Sequence, residues 1–535
     1  MKLKHLALAA SAAGALVAAA TSYADSAATP APHVVAIRAG KLVDVVAGTV
    51  LKDQTIIITG ERITSVGPTA SAKVPGDAEL IDLSTQTVLP GLIDMHTHLT
   101  SDPYLSGYNA LGVSDIRAAL YGARSARVTL NAGFTTVRNV GADGFGDVAL
   151  RDAIDDGDIP GPRMRTAGYA IGITGGHCDN NLPSVDFHYT SPAVADGPWA
   201  ARLKVREMVK YGADVIKICA SGGVLSKGDT PGAQQYTLEE MQAIVAEAHK
   251  LGRKVAAHAH GASSIRDAII AGVDSIEHAS LIDDEGIKLA REHGTYLVMD
   301  IYNDDFILQE GAKFGMLPES IVKEKALGQL QRDNFRKAHA AGVKIAFGTD
   351  AGVYPHGDNA RQFYYMVKYG MTTMQAIQAA TVSAADLLGW QDKVGSITAG
   401  KYADIIAVKG DPLADASELT KVSFVMKGGA VVRHYSSSDP APAVNVNTLA
   451  VNLVWSRAAE ALPAAAGAVG FAAAAGAALA AGFVVPGAAV TAGTAVAGDT
   501  AAACANALVG AAKSSTPSVT AASLSAAALS ARNLR

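Results

Sequence analysis

Residues 90–98, Pro-Gly-Leu-Ile-Asp-Met-His-Thr-His, fix the fold and the chemistry together. An apolar run entered through Pro90-Gly91 ends in His96-Thr97-His98, which reads as a buried strand finishing on two imidazoles. Residues i and i+2 of a strand share a face, so both rings project the same way. Two imidazoles converging at that spacing suit a zinc-type cation. A hydrogen-bonded pair of core histidines is the plainer alternative.

Outward from this strand, the chain from about 89 to 390 alternates short apolar runs with helical segments. The candidate strands are Gly91–His98, Thr135–Val140, Met164–Ala170, Val215–Ala220, Lys254–His258, Ser275–His278, Tyr296–Asp300 and Lys344–Thr349. Thr237-Leu238-Glu239-Glu240 opens one intervening helix with a capping box, and Gly252 closes it after Lys250-Leu251. Eight such βα units predict an α/β fold, a (β/α)8 TIM barrel whose chemistry gathers at the C-terminal strand ends. The polar residues fall there. His258, His278 and Asp350 each finish a strand, and Lys217 lies inside the apolar run Val215-Ile216-Lys217-Ile218-Cys219. A buried lysine must be paired, deprotonated or modified. Carboxylation by CO2 would make it an anionic ligand able to bridge two cations.

Both ends of the chain carry a different texture. Residues 25–88 and 391–435 are strand-rich, with Gly60-Glu61 at hairpin spacing between Thr55–Thr59 and Arg62–Val66, and they predict one small β-sandwich domain formed from both ends. Lys2 and Lys4, the apolar run 6–20 and Ser22-Tyr23-Ala24 read as a signal peptide over 1–24, with export to a periplasm. Residues 436–535 are an Ala-rich low-complexity extension with no charge between 461 and 498, and no stable membrane span is expected of it. No function attaches to that stretch.

The full chain has 535 residues, 49% hydrophobic and 18% charged, with a net charge of −5. A large core fits this composition, and the missing basic surplus argues against nucleic-acid binding. Three cysteines make no disulfide framework, and Cys178 and Cys219 read as packing residues or reduced thiols. No Gly-x-Ser-x-Gly elbow occurs, which disfavours a serine nucleophile.

The strand-end residues resemble the two-metal amidohydrolase superfamily over nearly all of 34–435. His96 and His98 resemble ligands of the more buried ion, Lys217 the carboxylated lysine bridging both ions, and His258 and His278 ligands of the second ion. Asp350 resembles the first-ion ligand that also handles protons, the catalytic residue. Gly175-Gly176-His177, Lys217–Gly223 and His258-Ala259-His260-Gly261 are similar to the exported Xaa-Pro and Xaa-Arg dipeptidases or carboxypeptidases, a group that includes ochratoxin-hydrolysing enzymes. The resemblance implies two divalent ions, Zn²⁺ foremost, and a metal-bridging hydroxide attacking a peptide or amide bond to release a C-terminal amino acid. It further implies that His177, Tyr236 and His260 bind a substrate carboxylate, that the substrate is a dipeptide or small molecule, and that the chain forms a homo-oligomer. The alternative activity is cyclic-amide hydrolysis of the imidazolonepropionase-like type.

Overall fold

The computed structural model describes residues 33–434; the expected signal peptide and the Ala-rich extension lie outside the described residues. The chain opens with β1 (Val34–Asp44), β2 (Thr49–Thr59), β3 (Arg62–Pro68) and β4 (Glu79–Pro90). Late in the chain come β12 (Ile405–Val408), β13 (Val422–Lys427) and β14 (Ala430–His434). All seven join one mixed sheet in the order β14-β13-β12-β4-β1-β2-β3, with β12 antiparallel to β4 and β1 parallel to it. Both chain ends therefore meet in one continuous sheet, where a two-sheet sandwich was expected. Ile37, Ile56, Ile58, Leu83 and Phe424 pack together on it, each fully buried. Each such side chain contributes about 1.5–3 kcal/mol of burial.

Gly91 turns this sheet into the first parallel strand. Its N–H donates to the Asp404 carbonyl at 2.8 Å, and a Cβ there would lie 2.1 Å from Thr135 Oγ1. Only glycine allows that close passage. β5 (Leu92–Thr97), β6 (Phe134–Asn139) and β7 (Arg163–Thr166) form a three-stranded parallel sheet. β8 (Val215–Cys219), β9 (Lys254–Ala259), β10 (Ser275–His278) and β11 (Tyr296–Val298) form a four-stranded one. β5, β6, β8 and β10 are buried at every position, as expected of parallel strands covered on both faces.

Two expected strands differ from their prediction. β7 stops at Thr166 because the Asp147 carboxylate accepts the Ala167 and Gly168 N–H groups, both at 3.1 Å, in place of a ladder partner. Ile171 resumes the pairing with β8, exchanging bonds with Lys217 and Cys219 at 2.9 Å. Residues 344–349 form no strand, since Phe347 N–H is drawn away to the Ala379 carbonyl at 3.0 Å. The segment still bonds on both sides. Met95 N–H donates to Phe347 O at 2.9 Å, Asp350 N–H to His96 O at 2.8 Å, and Leu297 N–H to Lys344 O at 2.9 Å.

The helix Leu238–Lys250 follows its sequence signals. Thr237 Oγ1 accepts the Glu240 N–H, the Glu240 carboxylate accepts the Thr237 N–H, and Gly252 adopts a left-handed φ of 69° just beyond the end. Among the described residues, no helix is long and apolar enough to cross a membrane.

Candidate metal centre and its cavity

The six expected ligands reach one place from five separate segments. His96 sits on β5 with His98 just past its end, Lys217 lies in β8, His258 in β9, His278 ends β10, and Asp350 follows 344–349. With His177 and His260 they line a single cavity of about 500 Å³. His96 Nε2 and His98 Nε2 each lie 3.3 Å from Asp350 Oδ1. Donor atoms of His96, His98 and Asp350 lie within 4.8 Å of one another, as do those of His258, His260 and His278.

The ring nitrogens decide whether this set suits a cation. His96 Nδ1 lies 2.9 Å from Glu277 Oε2, His278 Nδ1 lies 2.9 Å from Asp300 Oδ1, and His98 Nδ1 lies 3.0 Å from the Gly141 carbonyl. A carboxylate or carbonyl only accepts, so each Nδ1 carries a hydrogen and Nε2 is the ring nitrogen available to a cation, shared with Asp350 at His96 and His98. His258 is pinned the other way round. Its Nε2 donates to the Gly222 carbonyl at 3.2 Å and leaves Nδ1 bare. Burial holds His98 down at about 4 and His258 and His260 well below the ordinary imidazole value, in the neutral form a metal requires. The donor set fits divalent ions.

Lys217 is only 4% exposed. Burial pushes its ammonium down to about 8, against the opposing pull of Glu277 and Asp350. That shift enlarges the neutral amine fraction, the form that reacts with CO2. His278 and Asp350 carry positive φ angles of 69° and 55°, left-handed backbone at the end of β10 and just past residues 344–349, and both side chains line the cavity.

Several supporting residues escaped the sequence reading. Glu277 is held by Arg138, whose Nη2 donates to Oε1 at 2.7 Å and whose Nε donates to the Met95 carbonyl at 2.6 Å. Its signal was a carboxylate beside His278 inside a wholly buried strand. Asp300 was visible as the end of the seventh candidate strand, yet its role as the partner of His278 needs the fold. Ser226 accepts from His177 Nδ1 at 2.8 Å, because its own hydroxyl donates to Asp229 Oδ1 at 2.7 Å. Lys323 Nζ anchors that same oxygen at 2.8 Å. A Cβ on Gly223 would fall 2.1 Å from His177 Nδ1, so only glycine leaves the ring its place.

Two expectations need correction. Tyr236 is fully buried, absent from the cavity wall, and donates its hydroxyl to the Ala195 carbonyl at 2.8 Å. Cys178 and Cys219, expected as unpaired, form a disulfide that ties the residue after His177 to the end of β8.

Residues 87–432 match the amidohydrolase family. The chain belongs to the amidohydrolase family. It is 34% identical over 414 residues to the ochratoxinase of Aspergillus niger, a match spanning 72% of this chain and 84% of that one. A Xaa-Pro dipeptidase solved with methionine in its active site matches with TM-score 0.71 at 43% identity, over 74% of this chain and 99% of that one. A prolidase solved with N-methylphosphonate-L-proline matches with TM-score 0.69 at 33% identity, over 75% of this chain and 100% of that one. These relatives make the fold TIM-barrel-like and this amidohydrolase a hydrolase of amide or peptide bonds.

Proposed function

We propose that this amidohydrolase cleaves the amide or peptide bond of a dipeptide or N-acyl amino acid and releases an amino acid with a free carboxylate. His96, His98 and Asp350 would hold one divalent ion, His258 and His278 a second, and a carboxylated Lys217 both, with zinc the leading candidate. Four histidines, each with one ring nitrogen donating to a fixed acceptor and the other available to a cation, carry the reading. Divalent ions bound there supply an activated water and polarise the scissile carbonyl.

The chain's own residues supply orientation and proton transfer. Asn303 Nδ2 donates to Asp350 Oδ2 at 3.2 Å, which leaves Oδ1 facing the imidazoles to take a proton and return it to the departing nitrogen. An amide nitrogen leaves readily only when protonated. His260 Nδ1 lies 2.8 Å from Ser280 Oγ, which can donate or accept, so His260 is able to present Nε2–H to a substrate carboxylate. His177 is committed differently: with Nδ1–H on Ser226, its neutral ring offers Nε2 only as an acceptor, and it meets a carboxylate only as an imidazolium. Methionine and N-methylphosphonate-L-proline, the ligands of the two related structures, each carry a free carboxylate, in keeping with this product class.

Residues 1–24 support export to a periplasm, and the Cys178–Cys219 disulfide suits such an oxidising compartment. Assembly as a homo-oligomer completes the proposal. The test is a panel of dipeptides, N-acyl amino acids and cyclic amides, run before and after chelation. Turnover of the first two classes, lost with chelator and restored by Zn²⁺, is expected; turnover of cyclic amides alone overturns the proposal.

A further inference from the structure

His177 lines the cavity, yet the side chains that hold it, Ser226, Asp229, Gln235 and Lys323, do not. Gln235 Oε1 accepts the His177 backbone N–H at 3.0 Å, and Gln235 Nε2 donates to Asp229 Oδ2 at 3.3 Å. Ser226 Oγ lies 2.8 Å from His177 Nδ1 and donates to Asp229 Oδ1 at 2.7 Å. The backbone and the ring of His177 therefore both lead to one carboxylate. The helix Pro318–Ala340 reaches the same segment from a distant part of the chain. Glu319 and Lys323 lie one turn apart on it. Glu319 accepts the Gly228 N–H at 2.9 Å. Lys323 gives its three ammonium hydrogens to the Gly223 carbonyl at 3.1 Å, the Ser226 carbonyl at 2.7 Å and Asp229 Oδ1 at 2.8 Å.

Charge sets the direction of each hydrogen. Burial works against the Asp229 carboxylate, but the Lys323 ammonium and the Ser226 hydroxyl outweigh it and hold the acid below its ordinary range. Ionised, it only accepts. Ser226 has a single hydroxyl hydrogen, and its other neighbours are that carboxylate and the Gly223 carbonyl at 3.2 Å, neither of which can give one. The hydrogen between Ser226 and His177 therefore comes from Nδ1. The Lys323 and Asp229 side chains are 13% and 8% exposed, so salt and solvent screen the pair little. His177 in turn stacks on His258, with ring centroids 4.0 Å apart and 14° between the planes. A ring that swings or turns over would lose both contacts.

We propose that the Lys323–Asp229 ion pair is a positioning device for His177: acting through Ser226, it fixes a hydrogen on Nδ1 and the angle of the ring, so that Nε2 meets the substrate in one orientation. The proposal rests on the amide-hydrolase reading, in which His177 touches the substrate, and deepens it by naming residues that govern substrate affinity from outside the cavity. Lys323 and Asp229 are positioning residues and touch no reacting atom. A carboxamide in place of Asp229 can donate to Ser226, which releases the serine hydrogen toward Nδ1 and reverses the ring's hydrogen bond. Loss of the Lys323 ammonium strips a donor from three oxygens at once and frees the segment 223–229 from the helix. The same chain of bonds explains why position 223 is glycine, since a Cβ there would fall 2.1 Å from His177 Nδ1.

The test joins kinetics on Ala-Met with histidine NMR of isotope-labelled, zinc-loaded protein, for the native chain, K323M, K323R, D229N and S226A, with H177Q marking the His177 signal. The native spectrum is expected to show His177 protonated on Nδ1, and S226A and D229N to lose or move that signal. K323M and D229N are expected to raise KM about ten-fold or more with kcat within about three-fold of native, and K323R, which keeps the charge, to recover most of the KM. D229N matches aspartate in size and carries the test should K323M fail to fold. A merely structural role for the pair would lower the thermal midpoint and kcat and leave KM and the His177 signal as in the native chain. That result overturns the positioning role while leaving amide hydrolysis standing, and so does a native KM in D229N. If the native enzyme cleaves no peptide, the function reading falls, and the His177 signal across the same variants decides the positioning.

Discussion

In the seven-stranded sheet, Ile37, Ile56, Ile58, Leu83 and Phe424 pack together while Arg38, Lys52 and Asp53 stand in solvent. In the parallel strands the pattern is reversed: Asp94, His96, Arg138, Lys217 and Glu277 are each at most 4% exposed. Burying an ion costs several kcal/mol unless partners compensate, and here each charge is met by another or by the cavity. The sheet follows the rule that maximises stability, and the strands depart from it where chemistry is placed. Substitutions in the two regions should therefore separate stability from activity.

Lys217→Ala is expected to have the largest effect, lowering kcat/KM about a thousand-fold or more, because it removes the side chain that would hold both ions. A large loss of midpoint alongside activity would erase the contrast between the regions. Glu277→Gln comes next. It leaves Arg138 facing a neutral partner and weakens the hold on His96 Nδ1, so metal affinity or kcat/KM should fall about 10–100-fold and stability should fall too. Isothermal metal titration and a melting curve check both halves. Phe424→Ala tests the opposite side, with an expected stability loss of about 3–5 kcal/mol by denaturant titration and kcat/KM within about two-fold of native. Thr237→Ala removes a helix cap remote from both regions and should cost about 1 kcal/mol with no kinetic change.

Much of this contrast was legible in the sequence. His-x-His at a strand end, and His258, His278 and Asp350 at three more, needed only the period of a strand and the rule that parallel strands deliver chemistry at one rim. The capping box at Thr237 was equally local. What escaped reading depends on contacts between distant segments. Lys344–Thr349 has the composition of a strand, but the Ala379 carbonyl draws off one of its donors. The sandwich was inferred from strand texture at both ends, which says nothing about whether seven strands make one sheet or two. Tyr236 sits two residues past a segment bridged to Ser221, and neighbourhood in the chain put it nearer the cavity than the fold does. Cys178 and Cys219 are 41 residues apart, and only the return of the His177 loop onto β8 brings them together.

The central claim is that five separated segments hold a pair of divalent ions. Elemental analysis of the purified native chain beside Lys217→Ala tests it most directly. The account predicts about two divalent ions per native chain and a clear loss in the variant. A native chain that hydrolyses amides with no bound cation, or a variant that keeps both, would contradict it.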